Sequence, residues 1–305
     1  MPTSPLGSSI ATAFRRGAAA AVCGVVGLGV AQAGESVPAS EAFVPSFGEV
    51  VSASESLSAT ASSQAESGRR FVFTVLLGAE SRPGYFGADE NIAIPQISPN
   101  ILALNLGRVS LGDPNRAFAS DPSDRPLGFG FGGSLRVITE RSSDDFDELE
   151  GLDDVDLSVE IGAQVGYVWT NAEAFGALRY GAIGHESWVG ELGANLVARP
   201  TDDLALRVGP RFLFGSDDYT DTYFGVTEDE AAASGFDAYD PDAGLVSAGV
   251  EVIATYRLGR QWWLEGRARW DQFQDDAADS PIVEQGATDQ GTISIGVRRA
   301  FVLDF

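Results

Sequence analysis

The stretch SDDYTDTYFGVTEDEAAASG at residues 216–235 is rich in aspartate and tyrosine. These are the residue types in this chain that could most readily bind a metal or take part in catalysis. Its carboxylates could ligate calcium through oxygen, or could act as a pair of acid and base groups in a hydrolase. The spacing does not match the calcium loop of EF-hands, and acidic runs are commonly solvated surface. We therefore interpret the stretch as a structured loop between two strands, with calcium binding and catalysis as alternatives.

The expected loop has a defined internal arrangement. Its aromatic side chains fold back onto the protein, Gly225 and Gly235 turn the chain, and residues 228–230 stay in water. A second acidic stretch, DDFDELEGLDDVD at residues 144–156, receives the same interpretation, with binding of divalent cations as the alternative.

The only histidine, His185, is followed directly by Glu186 and Ser187. A serine hydrolase needs a histidine beside a serine and an acid. Because adjacent residues of a strand point to opposite faces, this spacing does not predict a catalytic triad. We expect a short loop here, and the sequence supports neither an enzyme nor a cofactor.

The charge balance restricts the classes of partner. The chain has 305 residues, with 44 acidic and 20 basic residues, a formal net charge of −24 and no lysine. Nucleic acids are recognised through a basic footprint, which this chain lacks. A uniformly acidic surface is also repelled by anionic lipid leaflets. The composition therefore predicts neither kind of partner.

The first residues have the features of an export signal. Two arginines precede the apolar run GAAAAVCGVVGLGVA, and the small residues AQA that follow read as a cleavage site. The run is too short for a transmembrane helix, so residues 1–33 are predicted to be a secretory signal peptide. Its removal would take away Cys23, the single cysteine, and would exclude disulfides. Residues 34–68, rich in serine and alanine, are predicted to be a disordered periplasmic extension.

From residue 69 onward, apolar and polar residues alternate with the period of β-strands. The even positions from Trp262 to Trp270 are Trp, Leu, Gly, Ala and Trp, whereas the odd positions carry charges repeatedly. Such charges have no place in the core of a soluble sandwich, but they can pair inside a barrel. We therefore predict an all-β fold for residues 69–305, a transmembrane antiparallel up-and-down β-barrel. Its surroundings would be the lipid and lipopolysaccharide of a Gram-negative outer membrane.

The alternation also predicts strand positions and number. Strands are expected near residues 71–80, 127–139, 155–169, 172–183, 187–199, 203–215, 244–258, 261–273 and 289–305. Long connections at one end and tight turns at the other match the asymmetry of outer-membrane barrels. A bacterial barrel with both chain ends in the periplasm has an even number of strands. Three more strands are therefore expected between residues 92 and 126, which gives about twelve. Ten is the alternative, because five prolines interrupt that region.

The polar positions of these strands define an expected lumen. They are Arg207, Arg211, Arg257, Arg267, Arg269, Arg298, Glu160, Glu173, Glu191, Glu251 and Glu265. Most should be paired, because an unpaired charge is costly even in a partly wet interior. Two interpretations stay open: a polar core that fills a small barrel, or a narrow pore that selects solutes.

Two loop sequences resemble the signatures of one family. Residues 217–239 resemble the D-x-Y-x-x-Y-[FY]-G-V-[ST] signature of the MipA/OmpV family of outer-membrane barrels, and DSPIVE at residues 279–284 is similar to its second signature. The residues that carry the resemblance are Asp217, Asp218, Tyr219, Tyr223, Phe224, Gly225, Val226, Ser234, Gly235, Asp279, Ser280 and Pro281. The strand that ends on Phe305 is likewise similar to the terminal signal read by the barrel-assembly machinery.

The resemblance implies a non-enzymatic scaffold for peptidoglycan-remodelling enzymes, because the family is named after a protein that binds a lytic transglycosylase and a murein synthase. A narrow channel for small solutes is the alternative. The tight turns offer little area compared with the roughly 800 Å² per partner of a standard complex. Contacts with a periplasmic enzyme are therefore expected from residues 34–68 and from the proline-rich region.

Overall fold

The computed structural model describes residues 69–305 except 107–109 and 113, so the predicted signal peptide and extension lie outside the described residues. The strands are β1 (Arg70–Pro83), β2 (Asn91–Asn105), β3 (Ser110–Gly112), β4 (Gly128–Ile138), β5 (Ser158–Val168), β6 (Ala172–Ile183), β7 (Trp188–Thr201), β8 (Leu204–Gly215), β9 (Gly244–Gly259), β10 (Trp262–Phe273) and β11 (Asp289–Asp304). The helices are α1 (Asp217–Phe224), α2 (Glu228–Ser234), α3 (Asp275–Ala278) and α4 (Pro281–Glu284), with 3₁₀ turns at Pro114–Phe118 and Asp147–Leu149.

All strands belong to one antiparallel sheet with the order β3-β2-β1-β11-β10-β9-β8-β7-β6-β5-β4. Contacts across its inner face show that the sheet curls into a barrel. Arg269 of β10 lies 3.6 Å from Glu191 of β7, although β8 and β9 stand between these strands. Arg82 at the end of β1 donates a 2.6 Å hydrogen bond to the hydroxyl of Thr139, just beyond β4. Within the described residues, no pairing joins β3 to β4.

The distribution of apolar residues is the reverse of that in a soluble protein. Large apolar side chains of the strands are exposed, and charged ones are buried. In β10, Trp262 and Trp270 are 43% and 49% exposed, whereas Glu265 is 6% exposed. An exposed apolar belt of this extent requires a nonaqueous surrounding. No helix in the described part of the chain is both long and apolar enough to cross a membrane.

The two ends of the barrel differ as expected. Arg70 pairs with Asp304, so β1 begins where β11 ends. Tight turns at 169–171, 202–203 and 260–261 lie at this end, which we call the turn end. The long connections lie at the opposite end, the loop end. The nine predicted strands match observed ones, with bounds that differ by at most three residues.

The proline-rich region holds fewer strands than the parity argument required. In the part of the chain that the structure describes, ten strands have eleven or more residues, which matches the lower of the two expected counts, and β3 has only three. Among the described residues between 92 and 126 there is one long strand, β2, which contains Pro95 and Pro99. Both prolines lie where β2 pairs with β1 alone, since β3 pairs only with residues 103–105. A strand edge tolerates residues that lack an amide hydrogen, and the prolines therefore do not end the strand.

Candidate functional site

The long connections at the loop end pack into a single layer, which we call the cap: residues 84–90, 139–157, 216–243 and 274–288. Its buried core includes Tyr219, Phe224 and Ile282, each 0% exposed. The ring of Phe86 lies 5.1 Å from that of Tyr223 and 5.8 Å from that of Phe224. The aromatic residues of the signature loop thus fold back onto the barrel, where they join aromatic residues from other loops.

The two signature sequences contact each other inside the cap. The buried hydroxyl of Ser280, in the second signature, donates a 2.7 Å hydrogen bond to the carbonyl of Phe224, in the first. Tyr239 also donates to the carbonyl of Asp276 at 2.9 Å. Pro281 begins α4, where a missing amide hydrogen costs nothing. Both signature sequences therefore contribute to one cap.

The signature loop contains two helices that the strand pattern did not predict. Asp217 and Asp218 lie in the first turn of α1, where the helix dipole favours carboxylates. Ser234 ends α2, and Gly235 follows with φ 83°, a left-handed conformation that glycine adopts without strain. Gly225 has extended backbone, and a side chain there would lie 2.6 Å from the carbonyl oxygen of Asp221.

The expectation that residues 228–230 all stay in water is wrong for Glu230. Glu228 is exposed, but Glu230 is buried because it closes a capping box with Thr227. Its carboxylate also accepts a 2.9 Å hydrogen bond from the amide of Asp153, which ties α2 to the 139–157 loop. The signal was present in the sequence as Thr-Glu-Asp-Glu, a capping-box pattern.

The Glu230 contact should depend on pH. Burial opposes ionisation, but hydrogen bonds from the amides of Thr227 and Asp153 outweigh it and hold the pKa of Glu230 below its usual range. A lowered pKa gives stability above the unfolded value of about 4.3 that is lost as the pH falls through the folded value. Glu230→Gln should therefore speed hydrogen exchange in residues 226–235 at neutral pH, and less so in acid. Glu228→Gln is the matched control, and equal exchange in the two variants at neutral pH would contradict the assignment.

The structure brings the side chains of His185 and Ser187 into contact, which the sequence interpretation did not predict. His185 Nδ1 lies 2.6 Å from the Ser187 hydroxyl, because the two residues are two apart and the turn has positive φ at Gly184 and Glu186. His185 Nε2 lies 3.5 Å from the carboxylate of Glu160. The acid beside the histidine is therefore Glu160, whereas the sequence had suggested Glu186.

This Glu-His-Ser arrangement is covered by the cap. Ser187 is 1% exposed, and the His185 ring packs edge to face against the rings of Tyr219 and Tyr223. Burial raises the pKa of Tyr223 to about 12, so its hydroxyl stays neutral and donates to Ser158 at 3.0 Å. The arrangement joins the cap to the strands and presents no hydroxyl to a substrate in this conformation.

Below the cap, buried and half-buried charges form a first ladder of alternating sign. Arg136 lies 3.6 Å from Glu160, and Glu160 lies 2.8 Å from Arg179. Arg179 then lies 3.1 Å from Glu191, which lies 3.6 Å from Arg269. Each carboxylate therefore stands between two guanidinium groups, an arrangement that offsets the cost of removing these charges from water.

A second ladder runs along β8 to β11. Glu251 lies 2.6 Å from Arg211 and 3.5 Å from Arg267. Glu265 lies 3.9 Å from Arg267 and 3.0 Å from Arg298. Arg298 is 1% exposed and reaches Glu265 through two of its nitrogens, a geometry only arginine provides.

The other predicted lumen residues lie nearer the turn end. Glu173 accepts a 2.7 Å hydrogen bond from Asn195 and lies 3.5 Å from Arg207. Arg257 pairs with Asp203 of the adjacent tight turn at 2.6 Å, so its partner is not one of the predicted glutamates.

The sequence interpretation missed two members of the first ladder. Arg136 and Arg179 lie on strands that were predicted, yet neither was included among the lumen residues. Arg179 alternates with Leu178 and Tyr180, which are 55% and 37% exposed. That alternation was the available signal, since opposite faces of a strand follow from parity.

Residues 114–126, which we call the inner-mouth segment, enter the barrel at the turn end. Ala117 and Asp121 are 0% exposed, and Asp121 forms a buried ion pair with Arg207. The indole nitrogen of Trp263 donates a 3.2 Å hydrogen bond to the carbonyl of Ser120. The chain thus covers the interior from this end, as the cap does from the other.

The acidic loops contain no preformed metal site in the part of the chain that the structure describes. There, no group of three or more histidine, cysteine, aspartate or glutamate side chains is placed to hold an ion. Asp154 of the 144–156 stretch accepts a 2.8 Å hydrogen bond from the amide of Ser143, which shapes the loop itself.

Comparison with known proteins gives one family. The family model for MltA-interacting protein MipA matches residues 75–301. The chain is similar to the "MltA-interacting protein" of Escherichia coli K12, with 33% identity over 98 residues, which is 32% of this chain and 38% of that protein. It is also similar to the "Putative outer membrane protein YiaT" of the same strain, with 25% identity over 128 residues, 40% of this chain and 51% of that protein. These matches span less than two thirds of either relative.

Solved structures with some similarity are outer-membrane proteins and channels. The outer membrane protein OprG from Pseudomonas aeruginosa is 10% identical with a TM-score of 0.25, and the match covers 76% of this chain and 96% of that one. The monoaromatic hydrocarbon channel CymD is 9% identical with a TM-score of 0.32, with 77% and 88% covered.

Proposed function

The chain belongs to the MltA-interacting protein MipA family, and from this premise we propose that it is a non-enzymatic interaction protein for peptidoglycan-remodelling enzymes. It is an outer-membrane protein with a β-barrel fold. The proposed partner is a periplasmic lytic transglycosylase or murein synthase, bound at the turn end. Support for a partner of this class comes from the name of the relative in Escherichia coli, which describes a protein that interacts with MltA.

The observation that carries the proposal is that the chain fills its own interior. The cap covers the loop end, the inner-mouth segment occupies the turn end, and two ladders of paired charges lie between. Cavities of about 210 and 260 Å³ remain within the barrel. A barrel whose interior is packed in this way supports a role at its surface better than a role in transport.

The turn end offers a small contact surface formed by described residues. Phe118, at the end of the inner-mouth 3₁₀ turn, is 47% exposed, and the guanidinium carbon of Arg260 lies 5.7 Å from its ring centroid. Exposed aromatic and arginine side chains are the types enriched in protein interfaces. The tight turns alone give little area, so we propose that residues 34–68 also contact the partner by wrapping around it.

Deletion of residues 36–66 is expected to reduce capture of the partner enzyme strongly, and Phe118→Ala is expected to weaken it by about tenfold, or roughly 1.4 kcal/mol. The measurement is retention of a lytic transglycosylase or murein synthase on the purified full chain in detergent. Asp203→Ala, which removes a carboxylate at the same end, is the control. Unchanged capture after the deletion would exclude the extension as a contact.

A narrow channel is the second candidate, because the cavity of about 210 Å³ is lined by arginines and glutamates of both ladders. Such a channel would select solutes by charge. On the interaction proposal, the full chain in planar bilayers should show no steady conductance, and Arg267→Ala should not create one. Steady conductance that changes when Arg207 or Arg267 is neutralised would favour the channel instead.

A further inference from the structure

A cavity of about 260 Å³ lies between the cap and the charged interior. Aromatic rings of Phe86, Tyr223 and Phe273 form part of its wall, and the ring of Phe86 meets the other two edge to face at 5.1 and 6.2 Å. The guanidinium carbon of Arg136 lies 6.0 Å from the centre of the Phe86 ring. The cavity therefore combines an apolar aromatic wall with positive charge, at about the lower size limit of small-molecule sites, roughly 300 Å³.

Two of the arginines that line this cavity form no direct ion pair with the residues that the structure describes. Within the described residues, neither Arg82 nor Arg141 has a carboxylate oxygen within ion-pair distance. Arg82 donates instead to the hydroxyl of Thr139 at 2.6 Å, and Arg141 donates to the carbonyl of Tyr223 at 3.2 Å. Arg82 Nε is buried without a hydrogen-bond partner in the described part of the chain, and Arg136 Nη1 lies 3.6 Å from its ion-pair partner Glu160, beyond hydrogen-bond distance. Buried donors of this kind are costly unless something accepts from them.

The acids around the cavity are mostly engaged elsewhere. Glu251 is held by the second ladder, and Asp271 lies 2.6 Å from Arg269. Glu80 accepts a 3.2 Å hydrogen bond from Gln96, and Glu140 is exposed. Burial lowers the pKa of the Arg141 guanidinium, although nearby acids act against this shift. In the part of the chain that the structure describes, Arg82 and Arg141 therefore stay outside the direct ion pairs at this level of the barrel.

We propose that this cavity is a binding site for a small aromatic carboxylate. The carboxylate would accept hydrogen bonds from Arg82 and Arg136. Planar guanidinium groups are suited to bidentate recognition of carboxylates. The ring would pack against Phe86 and Phe273, where aromatic stacking adds to apolar burial. Binding would occur beneath the cap, and the site does not depend on the proposed partner at the turn end.

Calorimetric titration of the purified full chain in detergent with benzoate tests the proposal. We expect saturable binding of one benzoate per chain. Benzyl alcohol, which has the ring without the charge, and acetate, which has the charge without the ring, should each bind at least about tenfold more weakly. Absence of saturable benzoate binding, or equal binding of acetate, would overturn the proposal.

Variants locate the site. Arg82→Gln should weaken benzoate binding by about tenfold, and Arg82→Lys should retain part of the affinity because the charge remains. Arg257→Gln, at the turn end and outside the cavity, is the matched control and should bind as the wild type does. Heat-dependent mobility on gels establishes that each variant is folded. A folded Arg82→Gln variant with wild-type affinity would overturn the assignment to this cavity.

Discussion

Replacing Glu160 with alanine is expected to destabilise the folded barrel by about 3–5 kcal/mol, the usual cost of breaking a buried ion pair from one side. The Glu160 side chain is 0% exposed and is approached by Arg136, Arg179 and His185 at 3.6, 2.8 and 3.5 Å. Its removal leaves buried guanidinium groups without this partner. The measurement is urea-induced unfolding of the protein in lipid vesicles, followed by tryptophan fluorescence.

Glu228→Ala serves as the control for Glu160, because Glu228 is exposed on α2. An exposed acid away from such a network should change the free energy of unfolding by no more than about 0.5 kcal/mol. Glu160→Gln, which keeps the size and removes the charge, should also be strongly destabilised. If Glu160→Ala and Glu228→Ala unfolded at the same urea concentration, the ladders would not stabilise the barrel as described.

Phe224→Ala should open the cap and leave the strands folded. Phe224 is 0% exposed, lies 5.3 Å from the ring of Phe273, and accepts the hydrogen bond that links the two signatures through its carbonyl. Replacing a buried phenylalanine with alanine costs about 3–5 kcal/mol of stability. Here that loss should destabilise the packing of the cap. Hydrogen exchange should become faster in residues 217–224 and 275–284, with little change in β9 and β10.

The half-exposed Phe118 gives the matched control for that experiment, because it lies at the opposite end of the barrel. Phe118→Ala should leave exchange in the cap unchanged. Faster exchange spread evenly over all strands in Phe224→Ala would contradict the description of the cap as a separate packed layer.

The strands could be predicted from the sequence because barrel strands repeat a two-residue pattern over more than ten residues. The long strand β2 could not be predicted, because it contains Pro95 and Pro99. Proline normally argues against a strand, although an edge position tolerates it. The cap helices were missed for a different reason. Helices of eight residues or fewer are held by tertiary packing, as the buried Tyr219 and Phe224 show, and carry little periodic signal of their own.

The candidate site could be predicted only in part. Parity indicated which side chains turn inward, but not which of them meet, because partners come from strands that are distant in sequence. The pairing of Arg207 with Asp121 of the inner-mouth segment had no sequence signal. The contact of His185 with Ser187 depended on a turn with positive φ at Glu186, which the sequence did not indicate.

The measurement that tests the interaction proposal most directly is in-cell crosslinking with mass spectrometry on outer membranes. The chain has no lysine, so a photo-reactive residue should be introduced at Ser56 or Phe118, with Trp270 on the apolar belt as the control position. The proposal predicts crosslinks from Ser56 or Phe118 to a lytic transglycosylase or murein synthase, and none from Trp270. Crosslinks from all three positions only within the chain or to lipopolysaccharide would contradict it.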